Sequence, residues 1–214
     1  MADLQAIAEN VINGQAPAVS EAVQKALEEN IPVQDILHEG LIAGMNVVGV
    51  RFKNNEFYIP EVLIAARAMK AGLALIRPKL LEAKIKSSGK VCIGTVKGDL
   101  HDIGKNLVGM MLEGAGFEVV DLGVDVAPDT FVASVREQGI QIVCMSALLT
   151  TTMASLQTTV EAIKAAGLTD NVRIMIGGAP ITQEYADKIG AHGYAADAAT
   201  ATERARELIA EMAI

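Results

Sequence analysis

Tryptophan is absent from this chain, and only four phenylalanines and three tyrosines occur among its 214 residues. A core so poor in rings must be packed with aliphatic side chains and alanine. That suits helices and buried parallel strands and argues against an all-β sandwich. Cations are also scarce: 18 Lys+Arg face 26 Asp+Glu, a net charge of −8. Wrapping a phosphate backbone needs clustered cations, so nucleic acid is not expected as a partner. No apolar run reaches the ~18 residues of a membrane span. The N-terminus, MADLQAIAEN, is acidic and does not read as a secretory signal. A soluble cytoplasmic protein that binds no membrane is the expectation. The two cysteines, Cys92 and Cys144, both lie in apolar strand-like runs, where buried free thiols are expected rather than a disulfide.

What is present is ample core material. Hydrophobic residues make up 51% and charged residues 21%, which excludes a disordered chain. At roughly 150 residues per domain the length allows one large domain or two small ones. Residues 1–83 read as helices only. Leu4, Ile7, Ala8 and Val11 share one face of a first helix closed by Asn13-Gly14, and Val19, Val23, Ala26 and Leu27 face inward from a second, 16–30. Pro32 opens a third, with Ile36, Leu37, Leu41, Met45 and Val48 as its apolar residues. The fourth begins near Pro60, where Val62, Ala66, Met69, Leu73, Ile76 and Leu80 alternate steps of four and three, the inward seam of a helix in a bundle. Residues 84–90, Lys-Ile-Lys-Ser-Ser-Gly-Lys, break this pattern and read as a linker.

From 91 to 214 strands and helices alternate. Strand runs at 91–96, 117–122, 140–145, 172–176 and 194–195 are each followed by a helical stretch, near 103–114, 128–138, 152–166, 182–189 and 199–212. Such alternation predicts an α/β fold with a parallel sheet covered on both faces. Ligands then bind beyond the carboxyl ends of the strands. Those ends carry Lys97-Gly98-Asp99-Leu100-His101-Asp102-Ile103-Gly104, then Ser146-Ala147-Leu148-Leu149-Thr150-Thr151-Thr152, then Gly177-Gly178, and finally Asp197-Ala198. Asp99 and His101 are two apart, so in an extended turn both side chains can point to the same side. The carboxylate can then take one ring nitrogen and leave the other free for a metal.

Other chemistries lack their residues. His101-Asp102 could belong to a metal phosphohydrolase, but that needs several ligands, and His38, His101 and His192 are the only histidines. Gly94, Gly98 and Gly104 do not make the dinucleotide spacing, and no phosphate-loop Gly-Lys-Ser/Thr occurs. No Gly-x-Ser-x-Gly elbow is present for a serine hydrolase.

Asp99-x-His101-x-x-Gly104, Ser146-x-Leu148 and Gly177-Gly178 together resemble the signature of cobalamin-binding domains. The whole chain is similar to the corrinoid proteins of anaerobic methyltransferase systems and to the cobalamin-binding region of cobalamin-dependent methionine synthase. Met45-Asn46-Val47-Val48-Gly49-x-x-Phe52 and Phe57-Tyr58-Ile59-Pro60 resemble the helical cap of that family. The resemblance implies a helical cap (1–83), a linker and hinge (84–90) and a Rossmann-like, flavodoxin-like cobalamin-binding domain with five parallel strands (91–214).

It further implies cobalamin or a related corrinoid, cycling between methylcob(III)alamin and cob(I)alamin, bound with its own base displaced. His101 would be the lower axial ligand of cobalt and Asp99 its hydrogen-bond partner. Thr152 stands where methionine synthase has a serine, keeping the hydroxyl and adding a methyl. Gly98, Gly104, Ser146, Gly177 and Gly178 would leave room for the nucleotide tail. Leu100, Asp102, Ile103, Leu148, Thr150 and Ala198 would complete the binding surface, and Phe52, Ile59 and Val62 would lie over the reactive face. The implied function is a methyl carrier that is not a complete enzyme alone. Its implied partners are a substrate-specific methyltransferase, a tetrahydrofolate-type methyltransferase and a reductive activase. A cobalamin-dependent regulator or an adenosylcobalamin mutase subunit are the alternatives. The chain's acidity and the absence of a DNA-binding segment before the cap speak against the first, and the style of cap and the missing barrel against the second.

Overall fold

The computed structural model describes residues 3–83 and 87–212. Lys84, Ile85 and Lys86 of the expected linker lie outside the described residues. The chain divides into two compact units: a helical one, residues up to 87 with 114–116, and an α/β one formed by the remainder.

In the helical unit α1 (Leu4–Ile12) starts at Asp3, whose carboxylate accepts the N–H of Gln5. The helix buries Ile7 and Val11, and α2 (Ala16–Glu28) buries Val19, Val23 and Ala26. The third rod departs from the expected uniform helix. It runs as α3 (Val33–Asp35), a π-helical segment Ile36–Ile42, and α4 (Ala43–Lys53). The wider π turn brings Ile36, Leu37, Gly40, Leu41 and Ile42 all into buried positions, more than one face of an α-helix can turn inward. The long α5 (Ile59–Glu82) starts where the Tyr58 N–H donates to the Glu61 carboxylate, with Pro60 in its first turn. Of its predicted seam Val62, Ala66, Met69 and Ile76 are buried, and Leu73 and Leu80 partly so. No helix among the described residues is long and apolar enough to cross a membrane.

The α/β unit carries β1 (Lys90–Val96), β2 (Glu118–Val126), β3 (Ile142–Ser146), β4 (Arg173–Gly177) and β5 (Gly193–Ala195). They form one parallel sheet in the order β2-β1-β3-β4-β5. The intervening helices are α6 (Ile103–Gly114), α7 (Pro128–Gln138), α8 (Met153–Ala165), α9 (Gln183–Ile189) and α10 (Ala198–Glu211), with a 3-10 turn at Thr150–Thr152 before α8. One sheet face packs Cys92, Val143, Met145, Ile174 and Ile176 against Phe131 of α7 and Leu156, Val160 and Ile163 of α8. Fully burying a side chain of this size contributes about 1.5–3 kcal/mol.

Cys92 pairs with Val143 and Cys144 with Ile93, so the two sulfurs sit on adjacent strands but opposite faces and cannot bridge. Both are free, and burial pushes the Cys92 thiol up to about 12.

Strand β2 runs beyond the expected 117–122, to Val126. Against β1, Ile93 pairs with Asp121, Gly94 with Gly123 and Val96 with Val126, so β2 holds an extra residue at two successive places. These are β-bulges on an edge strand.

Candidate functional site

Because the chain turns from β1 out to β2 and then returns to β3 on the other side, the crevice of this sheet lies at the carboxyl ends of β1 and β3. There Thr95, Ser146, Gly177 and Ala195 form one row across neighbouring strands.

Asp99, in the loop after β1, is completely buried. Its Oδ1 accepts the His101 backbone N–H at 3.1 Å and sits 2.7 Å from His101 Nδ1. Its Oδ2 accepts the N–H groups of Leu148 (2.8 Å) and Leu149 (3.3 Å) and the Thr152 hydroxyl (2.7 Å). Burial alone would raise this carboxyl's pKa. The donors from Leu148, Thr152 and His101 outweigh it and hold the group well below the usual carboxylate range. An ionised carboxylate only accepts, so His101 Nδ1 carries a proton and donates it to Asp99. The His101 side chain is 51% exposed, and Nε2 has no partner among the described residues. Asp99 thus aims the imidazole by Nδ1 and leaves Nε2 without a protein partner among the described residues.

Thr152 is buried, and its single hydroxyl hydrogen has two acceptors within reach, Asp99 Oδ2 and the Leu149 carbonyl at 2.9 Å. The shorter bond goes to the charged oxygen, the stronger kind. The methyl that distinguishes it from serine lies beside Gly98, 3.7 Å from where a Cβ would stand.

Ser146 is half-buried, with its hydroxyl 3.0 Å from that of Thr95. Thr95 in turn donates to the His101 carbonyl at 2.8 Å. Each hydroxyl has one hydrogen, so Ser146 donates to Thr95, and a lone pair of Ser146 remains to face outward. Thr95 was not singled out in the sequence, where it reads as one more β-branched strand residue. Asp121 and Asp125 were missed as well, and Lys105, which ends up at the same strand-end edge, was given no role. The signal that could have found them is Gly123 inside a strand-like run, which marks a bulge.

The glycines differ in what they do. A Cβ on Gly178 (φ +130°) would stand 1.9 Å from the Ala147 carbonyl oxygen, and one on Gly177 2.9 Å from that of Ala195. These two are demanded by neighbouring strand ends that approach backbone to backbone. At Gly104 nothing lies within 4 Å of a Cβ, so that position borders open space. Ala198 is buried in the first turn of α10, capped by Asp197.

Leu100 and Ile103, each 72% exposed, and the exposed Leu148 put apolar surface at the same edge as His101, with Leu149 beside them. Asp102, Gly104 and Thr150 are also exposed there. In the helical unit Val62 is buried, Phe52 is half-buried and Ile59 exposed.

Among the described residues no three His, Cys, Asp or Glu side chains come together to hold an ion by themselves. A single outward-facing imidazole within an apolar border suits a metal whose other positions are filled by its own flat macrocycle, so these residues fit a corrinoid.

Comparison with known proteins agrees. The sequence profile of the B12 binding domain matches residues 89–203, and a second B12 binding domain profile matches residues 3–77. The chain is 40% identical to a corrinoid protein of Desulfitobacterium hafniense over 98% of both chains. It is 45% identical to a dimethylamine corrinoid protein of Methanosarcina acetivorans over 97% of both. In the crystal structure of the methanol:cobalamin methyltransferase complex of Methanosarcina barkeri, a chain matches with TM-score 0.87 and 30% identity, over 97% of this chain and 79% of that one. This chain therefore belongs to the family of corrinoid proteins built on B12 binding domains. Its cofactor is a corrinoid, and its α/β fold is the Rossmann-like fold of that family.

Proposed function

We propose that this chain is the methyl carrier of a corrinoid-dependent methyltransferase system, holding its corrinoid with His101 in place of the cofactor's own base. One observation carries this reading: the exposed His101 ring is fixed at Nδ1 by a buried carboxylate that accepts from five donors, leaving Nε2 free. When bound, the corrinoid supplies a cobalt centre that takes up a methyl group and gives it to an acceptor.

The residues of this chain then have distinct tasks. His101 Nε2 would hold the cobalt of the bound corrinoid. Asp99 Oδ1 holds the Nδ1 proton and makes the ring a better donor at Nε2. Thr152 and the two amides of the β3–α8 loop keep Asp99 from turning. Leu100, Ile103 and Leu148 present apolar surface to the macrocycle, while Gly98, Gly104 and Ser146 border the path of its tail. Phe52 and Ile59 would keep water from the reactive face, whereas Val62 is wholly buried and has no surface to offer it. The chain works as a cap (1–83), a linker (84–90) and a corrinoid-binding domain (91–214).

The names of its relatives supply the class of the first partner. It is a methyltransferase acting on a small methylated compound: one relative is named a dimethylamine corrinoid protein, and another match lies in a methanol:cobalamin methyltransferase complex. The second partner passes the methyl to tetrahydrofolate or a similar acceptor, and a reductive activase restores carriers that have lost their active state.

The test is incubation with hydroxocobalamin, removal of free cofactor by gel filtration, and a UV–visible spectrum. The wild type retains about one corrinoid per chain. His101→Ala retains corrinoid more weakly, loses the spectral signature of a histidine ligand and transfers methyl groups more slowly. A spectrum unchanged in that variant removes His101 from the ligand role. Complete loss of corrinoid by the wild type sinks the carrier reading.

A further inference from the structure

We propose that Asp125, carried on the doubly bulged end of β2, is a positioning residue that holds the His101 loop in shape. This role rests on the reading of His101 as the axial ligand.

Asp125 does not touch the His101 ring. It grips the backbone on either side of the Gly98–Asp99 peptide. The Gly98 N–H donates to Asp125 Oδ1 at 2.7 Å, and the Asp125 N–H donates to the Asp99 carbonyl at 3.0 Å. One residue therefore holds the backbone on both sides of the Gly98–Asp99 peptide, whose own N–H donates to the Val96 carbonyl at 3.1 Å.

The backbone is built for this grip. Asp125 has φ +54°, a left-handed conformation that few side chains adopt and Asp tolerates better than most. The two surplus residues in β2 place that unusual backbone directly beside the loop. Bulges at sheet edges re-aim side chains in this way.

A second anchor comes from the same strand end. Lys105 is buried, and its Nζ lies 2.6 Å from both carboxylate oxygens of Asp121 and 2.7 Å from Asn106 Oδ1. Asp121 also accepts the Gly123 N–H, and Asn106 donates to the Asp102 carboxylate. The loop from Lys97 to Asp102 is thus tied to β2 at its start by Asp125 and at its end, through the first turn of α6, by Asp121. The β3–α8 loop fixes the Asp99 carboxylate, and β2 fixes the backbone that carries it.

The test uses the isotope-labelled full chain without corrinoid, near neutral pH, reading the His101 ring nitrogens by NMR and the Gly98 amide by hydrogen exchange. The wild type shows a hydrogen-bonded proton at His101 Nδ1. Asp125→Ala and Asp125→Gly lose part of that Nδ1 hydrogen-bond signal, and Gly98 exchanges about tenfold faster. Asp125→Asn, which keeps an acceptor oxygen and the tolerance for positive φ, restores both readings. The glycine variant adopts the left-handed conformation freely, so loss there reports the missing acceptor and not a strained backbone. An unchanged ring pattern in both the alanine and glycine variants overturns the proposal. These readings are made without corrinoid, so they are independent of the hydroxocobalamin experiment. Failure of wild-type retention counts against the carrier reading, and failure of the NMR difference against Asp125.

Discussion

A buried carboxylate survives in a protein only when its oxygens are fully partnered, and Asp99 meets that demand with donors from two loops, its own and the one between β3 and α8. The arrangement makes Thr152 a structural as well as a functional residue. Thr152→Val keeps the shape and removes the hydroxyl, leaving Oδ2 with only two amides. We expect a loss of about 2 kcal/mol in stability to urea, the usual worth of a hydrogen bond to a charged group, and recovery of most of it in Thr152→Ser. An unshifted valine midpoint would mean that the hydroxyl bonds the Leu149 carbonyl instead. The Asp-x-His pair itself was readable in the sequence, because residues two apart at a strand end can point together. Its amide donors were not. Leu148 and Leu149 look like apolar lining, and only the fold turns their backbones toward Asp99.

The strand ends divide into those that pack and those that leave space. Gly178→Ala forces a Cβ into the Ala147 carbonyl at a φ that favours glycine, and should cost at least about 3 kcal/mol in urea unfolding. Gly104→Ala meets nothing and adds helix propensity to the first turn of α6. It should leave the urea midpoint within about 0.5 kcal/mol of wild type, while weakening retention of hydroxocobalamin if the open space beside Gly104 receives the cofactor. Equal losses of stability in the two variants would refute this division. The sequence reading assigned all these glycines one task, room for a ligand tail. Two of them, Gly177 and Gly178, are also required by backbone contact between strands, which no spacing of residues reveals. The end of β2 was likewise illegible, since Asp121–Val126 passes for a strand end and a turn.

The α/β unit also carries a pH dependence remote from the site. At the opposite edge of the sheet His192 Nδ1 accepts the Ile174 N–H at 3.0 Å, a bond open only to an unprotonated Nδ1. Burial first, then the cations Arg173, Lys164 and Arg204, push its pKa down from 6.5, against the opposing pull of Glu211. A histidine whose folded pKa is depressed contributes stability that is complete above the unfolded value and lost as pH falls through the folded one. Stability should therefore decline below about pH 6.5, with a slope from this group of at most about 1.4 kcal/mol per pH unit. His192→Asn places an amide oxygen where Nδ1 accepts and does not titrate, so its urea midpoint should vary less between pH ~7.5 and ~5.5. Identical pH profiles would assign the decline to other groups.

Local chemistry was within reach of the sequence alone. Periodicity marks the helices and the five parallel strands, the lack of aromatics fits their aliphatic core, and the strand-end motifs mark the corrinoid family. These properties depend on neighbours a few residues apart, which the chain order preserves. Three things were decided by tertiary structure. They are the five donors that keep Asp99 ionised, the close approach that demands Gly178, and the twice-bulged β2 that grips the His101 loop. Leu148, Leu149 and Thr152 reach Asp99 from 49, 50 and 53 residues away, and Asp125 reaches Gly98 across 27. Partners so distant in sequence are chosen by the packing of strands and loops, and a hydrogen bond depends on distances that no residue pattern encodes.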